Sequence, residues 1–236
     1  MRADPHDDAA FDIPRPSLSI EGTSARFPVR RIFCVGRNYA EHTREMGGDP
    51  ARQPPIYFTK ALDALAPGGG AIPYPPMTQD LHFEGELVIA IGAEGVAVSE
   101  AAAVRLIYGF AAGLDLTRRD MQAEAKAAGA PWDMGKSFTG AAPIGAIVPA
   151  SALAHGFETR RLETTVNGAV RQSALLGDMI YNPRQIIADL SRYDRLHAGD
   201  LIFTGTPAGV GPVGNDDRLT VSIDGVPPLS IRLVKD

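Results

Sequence analysis

The chain reads as an α+β protein, and three observations carry that reading. Asn167-Gly168 and Asp224-Gly225 each sit between runs of alternating apolar residues, the pattern of a tight hairpin turn. Amphipathic helical patterns are few and segregated, whereas a doubly wound sheet alternates them regularly with strands. The 236 residues, 44% hydrophobic and 22% charged, suffice for one large domain or two small ones. The expected organisation is a short arm over residues 1–28 and a single catalytic domain over residues 29–236.

The elements follow in order. The opening "MRADPHDDAAFDIPRP" is acidic and proline-containing, so it predicts a loosely ordered arm or a strand laid on the surface. It lacks the basic start and apolar core of a secretory signal, and no run reaches the roughly 18 apolar residues of a membrane span. "RFPVRRIFCVG" gives a short strand, Ile32 to Val35, turning at Gly36. "NYAEHTREMGG" predicts a helix of about two to three turns, with Asn38 as N-cap and Gly47 and Gly48 as its stop. "PPIYFTK" is a strand ending in Lys60, followed by a loop through Gly68, Gly69 and Gly70. In "DLHFEGELVIAIG", Leu87 to Ile91 is a buried strand with Glu84 and Glu86 at its entrance.

"SEAAAVRLIYGFAAGLDLT" predicts a helix from Ser99 to Ile107, then an apolar strand reaching Asp115. Thr117 and Asp120 have the spacing of a capping box, opening a helix that Gly129 and Pro131 end. The C-terminal half is mostly strand and turn. Its two hairpins flank an amphipathic helix in "NPRQIIADLSRYDRLHAGD" and a buried strand, "LIFTGTPAGVG", that runs into a glycine-rich loop.

A formal net charge of -5 argues against nucleic acid or an anionic membrane as partner. Cys34 is the only cysteine, so no intrachain disulfide forms and a cytoplasmic setting is expected.

Glu84 and Glu86 are two apart on a strand and therefore share a face. Like charges beside an apolar run need either water or a cation. Asp115 stands at the exit of another apolar segment. Three oxygen ligands without His or Cys suit Mg²⁺, Mn²⁺ or Ca²⁺ better than zinc; the same Glu pair could also decorate the solvated end of an edge strand. His42 and Glu45, three apart on a helix, are either an oriented imidazole base or a surface ion pair. Arg119 and Gln122 share a helical face near a helix N-terminus and suit a substrate carboxylate; only that face separates Arg119 from Arg118. Lys136, in "PWDMGKSF", either offsets negative charge that develops in a reaction or reaches the surface. "TGTPAGVG" lacks the Gly-Lys-Ser/Thr ending of a phosphate loop, so it reads instead as a turn that presents backbone N–H groups and the Thr206 hydroxyl to a small anion.

In order along the chain, "VGRNYAEHTREMG", "FEGELVIAIG", "GLDLTRRDMQ", "WDMGKSF" and "GDLIFTGTPAGVG" resemble the fumarylacetoacetate hydrolase family. Within it, "ARFPVRRIFCVGRNY", "IPYPPMTQDLHFEGELV" and "AEAKAAGAPWDMGKSF" are most similar to bacterial fumarylpyruvate hydrolases. The resemblance implies a mixed β-sandwich roll of the family's C-terminal-domain type, assembled as a homodimer or larger. It implies that Glu84, Glu86 and Asp115 bind Mg²⁺ or Mn²⁺, with Ca²⁺ as a crystal substitute. His42 and Glu45 become a water-activating dyad on a lid, while Arg119, Gln122, Lys136 and Thr206 hold the oxo-acid end or the developing enolate. The implied reaction is hydrolysis of the carbon–carbon bond of a 2,4-dioxo acid, such as fumarylpyruvate to fumarate and pyruvate in aromatic breakdown. The alternatives are oxaloacetate decarboxylation, isomerisation or hydration of dienoic acids on the same metal, and a non-catalytic acid binder. Three positions depart from the family pattern: Ala61 replaces a common proline, Phe83 a frequent second histidine, and Gly85 a bulkier residue.

Overall fold

Strand Gly85–Ile91 is buried at every position, so it must lie inside a sheet with both faces covered. A computed structural model describing residues 10–47, 49 and 54–235 places it there. The large sheet runs in the order Ile56–Lys60, Arg31–Gly36, Asp200–Phe203, Gly85–Ile91, Ile107–Leu114, Ala142–Ile144, Leu65–Pro67. It is mixed, since Asp200–Phe203 pairs in parallel with Arg31–Gly36 while both neighbours of Gly85–Ile91 are antiparallel to it.

The second sheet orders Ala169–Leu175, Arg161–Val166, Arg218–Ile223, Val226–Val234 and Gly70–Pro73. Its strands alternate, turning Leu162, Thr164 and Val166 inward together with Leu219, Val221, Leu229 and Ile231. That inner face packs on Gly85–Ile91 and Ile107–Leu114 of the large sheet, giving the α+β sandwich with one continuous core. Both expected hairpins form. Asn167 and Gly168 adopt left-handed φ of 53° and 81°, as a two-residue turn of this kind requires. Leu81–Phe83 and Gly211–Val213 pair in a small third sheet with Thr117–Arg118, closing over the end of the sandwich that carries the acids.

Helix Pro183–Tyr193 starts as its sequence dictates. The Asn182 side chain accepts from the N–H groups of Arg184 and Gln185, the Gln185 side chain returns the bond, and Pro183 occupies the first helical position. Ile186, Ile187 and Leu190 are its buried face. Among the described residues, no helix is long and apolar enough to cross a membrane.

Four local expectations are corrected. The helix after Tyr39 spans only Ala40–Glu45, and Asn38 does not cap it. Instead Asn38 Nδ2 donates to the carbonyls of Tyr181 and Thr204, and its Oδ1 accepts from Tyr181 N–H, because these distant strand and loop ends offer a full set of partners. Thr117 and Asp120 form no capping box. Thr117 Oγ1 donates to the Asp115 carbonyl, while Asp120 accepts from Thr78 and the Gln79 N–H, tying down a loop. Helix formation after Ser99 stops early, with Glu100–Ala103 tightening into a 3-10 turn before the strand begins at Ile107. In the arm, Ser17–Ser19 pairs with Arg26–Pro28, Leu18 and Phe27 are buried, and Ile20 bridges to Ile147. Residues 1–9 of that arm, and Gly48 as helix stop, lie outside the described residues.

Candidate metal centre

Sheet register assembles the acids. Gly85 pairs with Leu114, which sets Glu84 beside Asp115, and Asp115 N–H donates to the Glu84 carbonyl at 2.9 Å. Glu86 follows one residue further along the same strand as Gly85, on the Glu84 face. One carboxylate oxygen from each of Glu84, Glu86 and Asp115 lies within 4.8 Å of the others, and the three residues are 5%, 2% and 1% exposed. The edge-strand alternative fails at this point, because the strand is interior and the acids are buried.

Three cations converge on the acids. Lys136 Nζ, at the end of the short helix Asp133–Lys136, lies 2.7 Å from Glu84 Oε2 and 2.8 Å from Asp115 Oδ2. Lys60 Nζ lies 2.7 Å from Asp115 Oδ1, and Arg119 Nη2 donates to Glu84 Oε1. Glu86 forms no ion pair among the described residues; its Oε2 accepts the Gly205 N–H at 2.6 Å. Gly205 has φ of +95°, and a Cβ there would come within 2.7 Å of Asn38 Cβ, so only glycine brings this amide to Glu86.

The electrostatics separate the two glutamates. Burial works against ionising Glu84, yet the adjoining Lys136 and Arg119 hold its carboxyl well below the usual range. Burial, then the charges of Asp115 and Glu84, push Glu86 well above it. Lys136 keeps its proton tightly, since Asp115 and Glu84 outweigh its burial. A buried, all-oxygen donor set with one carboxylate lacking a counter-ion fits a hard divalent cation.

One cavity of about 430 Å³, counting its open mouth, joins these acids to His42, Arg119, Gln122 and Thr206. His42 Nδ1 lies 3.1 Å from Glu45 Oε2, leaving Nε2 as the ring nitrogen for proton exchange. His42 is buried rather than on the surface, and Glu45 Oε1 reaches the Gly209 N–H of the glycine-rich loop at 3.3 Å. Arg119 Nη1 donates to Gln122 Oε1 at 2.6 Å; Arg118 turns away, donating to the Met134 carbonyl and lying over Phe138. Thr206 lines the cavity with its hydroxyl engaged, donating to the Gly85 carbonyl at 2.9 Å and accepting from Gln172 Nε2 at 2.7 Å.

Two residues of the site escape sequence reasoning. Lys60 is fully buried against Asp115, and only the pairing of Ile56–Lys60 with Arg31–Gly36 reveals where its side chain goes. Gln172 staples the acid strand to the glycine-rich loop, its Oε1 accepting from Gly85 N–H at 2.9 Å. Its inward orientation depends on a bulge that shifts the register between Thr164 and Thr165, which no alternation pattern signals.

Comparison with known proteins gives concordant matches. The family model "Fumarylacetoacetate (FAA) hydrolase C-terminal" matches residues 31–234. A fumarylpyruvate hydrolase from a Ralstonia species is 44% identical over 185 residues, spanning 78% of this chain and 95% of the relative. The mitochondrial oxaloacetate tautomerase FAHD1 of Mus musculus is 40% identical over 204 residues, 86% of this chain and 91% of the relative. Among solved structures, the fumarylpyruvate hydrolase from Pseudomonas aeruginosa in complex with Mn²⁺ and pyruvate superposes with a TM-score of 0.94 at 42% identity, covering 97% of this chain and 100% of that one.

Proposed function

The chain belongs to the fumarylacetoacetate hydrolase family, and from that premise we propose that it is a divalent-metal-dependent hydrolase cleaving a 2,4-dioxo acid, fumarylpyruvate foremost, into a carboxylic acid and pyruvate. The observation that carries this reading is that His42, hydrogen-bonded to Glu45, lines the same cavity as the three-carboxylate cluster. Enolate chemistry alone needs the cluster; attack of water on a carbonyl also needs a positioned base.

Glu84, Glu86 and Asp115 would hold Mg²⁺ or Mn²⁺, which supplies Lewis-acid stabilisation of negative charge on the keto-acid oxygens. The three carboxylates are matched by Lys60, Lys136 and Arg119 around them, and Arg37 and Lys126 also line the cavity, so a divalent ion leaves the site net positive and suited to a substrate with two carboxylates. Gln122 and the Arg119 guanidinium orient the oxo-acid end. His42 Nε2 takes a proton from water while Glu45 fixes the ring through Nδ1. Hydroxide adds to the C4 carbonyl, the C3–C4 bond breaks, and its electron pair passes to the departing pyruvate enolate, which is protonated at C3. Lys136, buried beside Glu84 and Asp115, faces the negative charge that develops there.

The oxaloacetate tautomerase relative favours a second reading, proton transfer on oxaloacetate at the same acids. An ultraviolet assay with added Mg²⁺ or Mn²⁺ against fumarylpyruvate, maleylpyruvate, acetylpyruvate and oxaloacetate separates the two. The hydrolase reading expects loss of the dioxo-acid chromophore with release of pyruvate. Enol–keto conversion of oxaloacetate without cleavage of any acylpyruvate would replace it with the tautomerase reading.

A further inference from the structure

Helix Arg119–Ala128 presents Arg119, Gln122 and Lys126 to one cavity, at the three- and four-residue spacings that share a helical face. From Arg119 to Lys126 the helix rises about 10 Å, so the face runs outward from the acids. The cations of the inner end all have carboxylate partners: Lys60 and Lys136 on Asp115, Arg119 on Glu84. Lys126 forms no ion pair among the described residues. Its ammonium lies 5.0 Å over the ring of Trp132, which tilts against Phe58 at a centroid distance of 5.8 Å. An aromatic face holds a cation in place without neutralising it.

We propose that Lys126 reads the far end of the substrate, binding a second carboxylate on the acyl group and setting a preference for dicarboxylic over uncharged acylpyruvates. The inference rests on the acylpyruvate reading of the site and narrows it. Phe58 and Trp132 wall the cavity beside Lys126, and flat apolar walls suit an unsaturated carbon chain between two carboxylates. Half-burial and the neighbouring charges of Arg119 and Arg37 pull the Lys126 ammonium down to about 8, the mark of a cation whose surroundings favour an added anion. A lysine in the last helical turn also complements the helix dipole, but that role is indifferent to the substrate's acyl group.

The test compares wild type with Lys126→Gln and Lys126→Arg on fumarylpyruvate and acetylpyruvate in the presence of Mn²⁺. The ratio of kcat/KM between the two substrates should fall about ten- to a hundred-fold in Lys126→Gln, chiefly through KM, and largely recover in Lys126→Arg. An unchanged ratio overturns the proposal. Wild type that cleaves neither substrate refutes the acylpyruvate reading instead, and a binding measurement then decides on Lys126 alone. Trp132 is the only tryptophan of the chain, so its fluorescence reports fumarate, and crotonate, which carries a methyl group in place of one carboxylate. Fumarate should bind wild type and Lys126→Arg at least about ten-fold more tightly than Lys126→Gln, with crotonate failing to discriminate. Equal fumarate affinity in wild type and Lys126→Gln, or none in wild type, overturns the assignment.

Discussion

Substituting alanine for Gly85 would drive a methyl carbon to 1.9 Å from Thr164 Oγ1, with Gln172 Oε1 at 3.1 Å and Thr164 Cβ at 3.2 Å. Thr164 is fully buried in the facing sheet, its Cβ as well as its hydroxyl close to the new methyl, and Gln172 is held by its bonds to Gly85 N–H, Thr206 and Pro207. The acid strand must therefore retreat from the second sheet, taking Glu84 and Glu86 with it. Overpacking of this kind costs about 1–3 kcal/mol. At about 2–4 °C per kcal/mol for a domain of this size, the melting temperature should fall by about 2–12 °C. Thr164→Ala removes the colliding oxygen, which has no hydrogen-bond partner, together with a buried methyl group, so alone it should cost about 1 kcal/mol and in the double variant it should restore most of the Gly85→Ala loss. The assay is thermal unfolding of wild type, both single variants and the double variant, with and without Mn²⁺. Gly85→Ala should also weaken the Mn²⁺-induced rise, and the double variant should regain it. A Gly85→Ala protein that melts with wild type, or strictly additive effects in the double variant, would refute the cross-sheet contact as what positions the acids. This contact also accounts for the small residue between the glutamates.

Three further outcomes follow from the same geometry. His42→Ala should lower kcat by about 10²- to 10⁴-fold while Mn²⁺ affinity, measured by calorimetry, stays close to wild type; full turnover would remove His42 as water activator. Lys60→Met leaves Asp115 with one cation in place of two, and breaking such a buried pair costs about 3–5 kcal/mol, readable as a lower urea midpoint. Fumarate affinity should decline as pH rises through about 8. Burial, then Arg119 and Arg37, lower the proton affinity of Lys126, with Lys136 adding to them and Glu84 opposing; the cation is present below that pH and lost above it. Lys126→Arg should flatten the profile over the same range, as fluorescence titration would show.

The sequence made legible whatever depends on local spacing. Two glutamates two apart on a strand share a face in any sheet, and Asn-Gly or Asp-Gly between alternating runs makes a hairpin regardless of its neighbours. Asn182, Pro183 and Gln185 announce their helix because all three groups act within one turn. Elsewhere distant partners decided. Asn38 has the chemistry of an N-cap, but Tyr181 and Thr204 satisfy its amide more completely than one helical N–H can. Asp120 is drawn away from the helix start by Thr78 and Gln79, more than 40 residues back along the chain. Lys60 ends its strand as expected, but nothing near it in sequence reveals Asp115 as its partner. Gln172 was hidden by a bulge, which breaks the alternation that marks inward positions. The acids could thus be nominated from spacing, whereas the groups that balance and brace them come from other strands, a short helix and the second sheet.

The most direct measurement is the rate of fumarylpyruvate cleavage by metal-stripped protein titrated with Mn²⁺, followed at the dioxo-acid absorbance alongside Glu86→Ala. The account predicts negligible turnover without metal, saturation at one ion per chain, and joint loss of binding and activity in Glu86→Ala. Full activity in the stripped protein, or an ion bound stoichiometrically by Glu86→Ala, would contradict it.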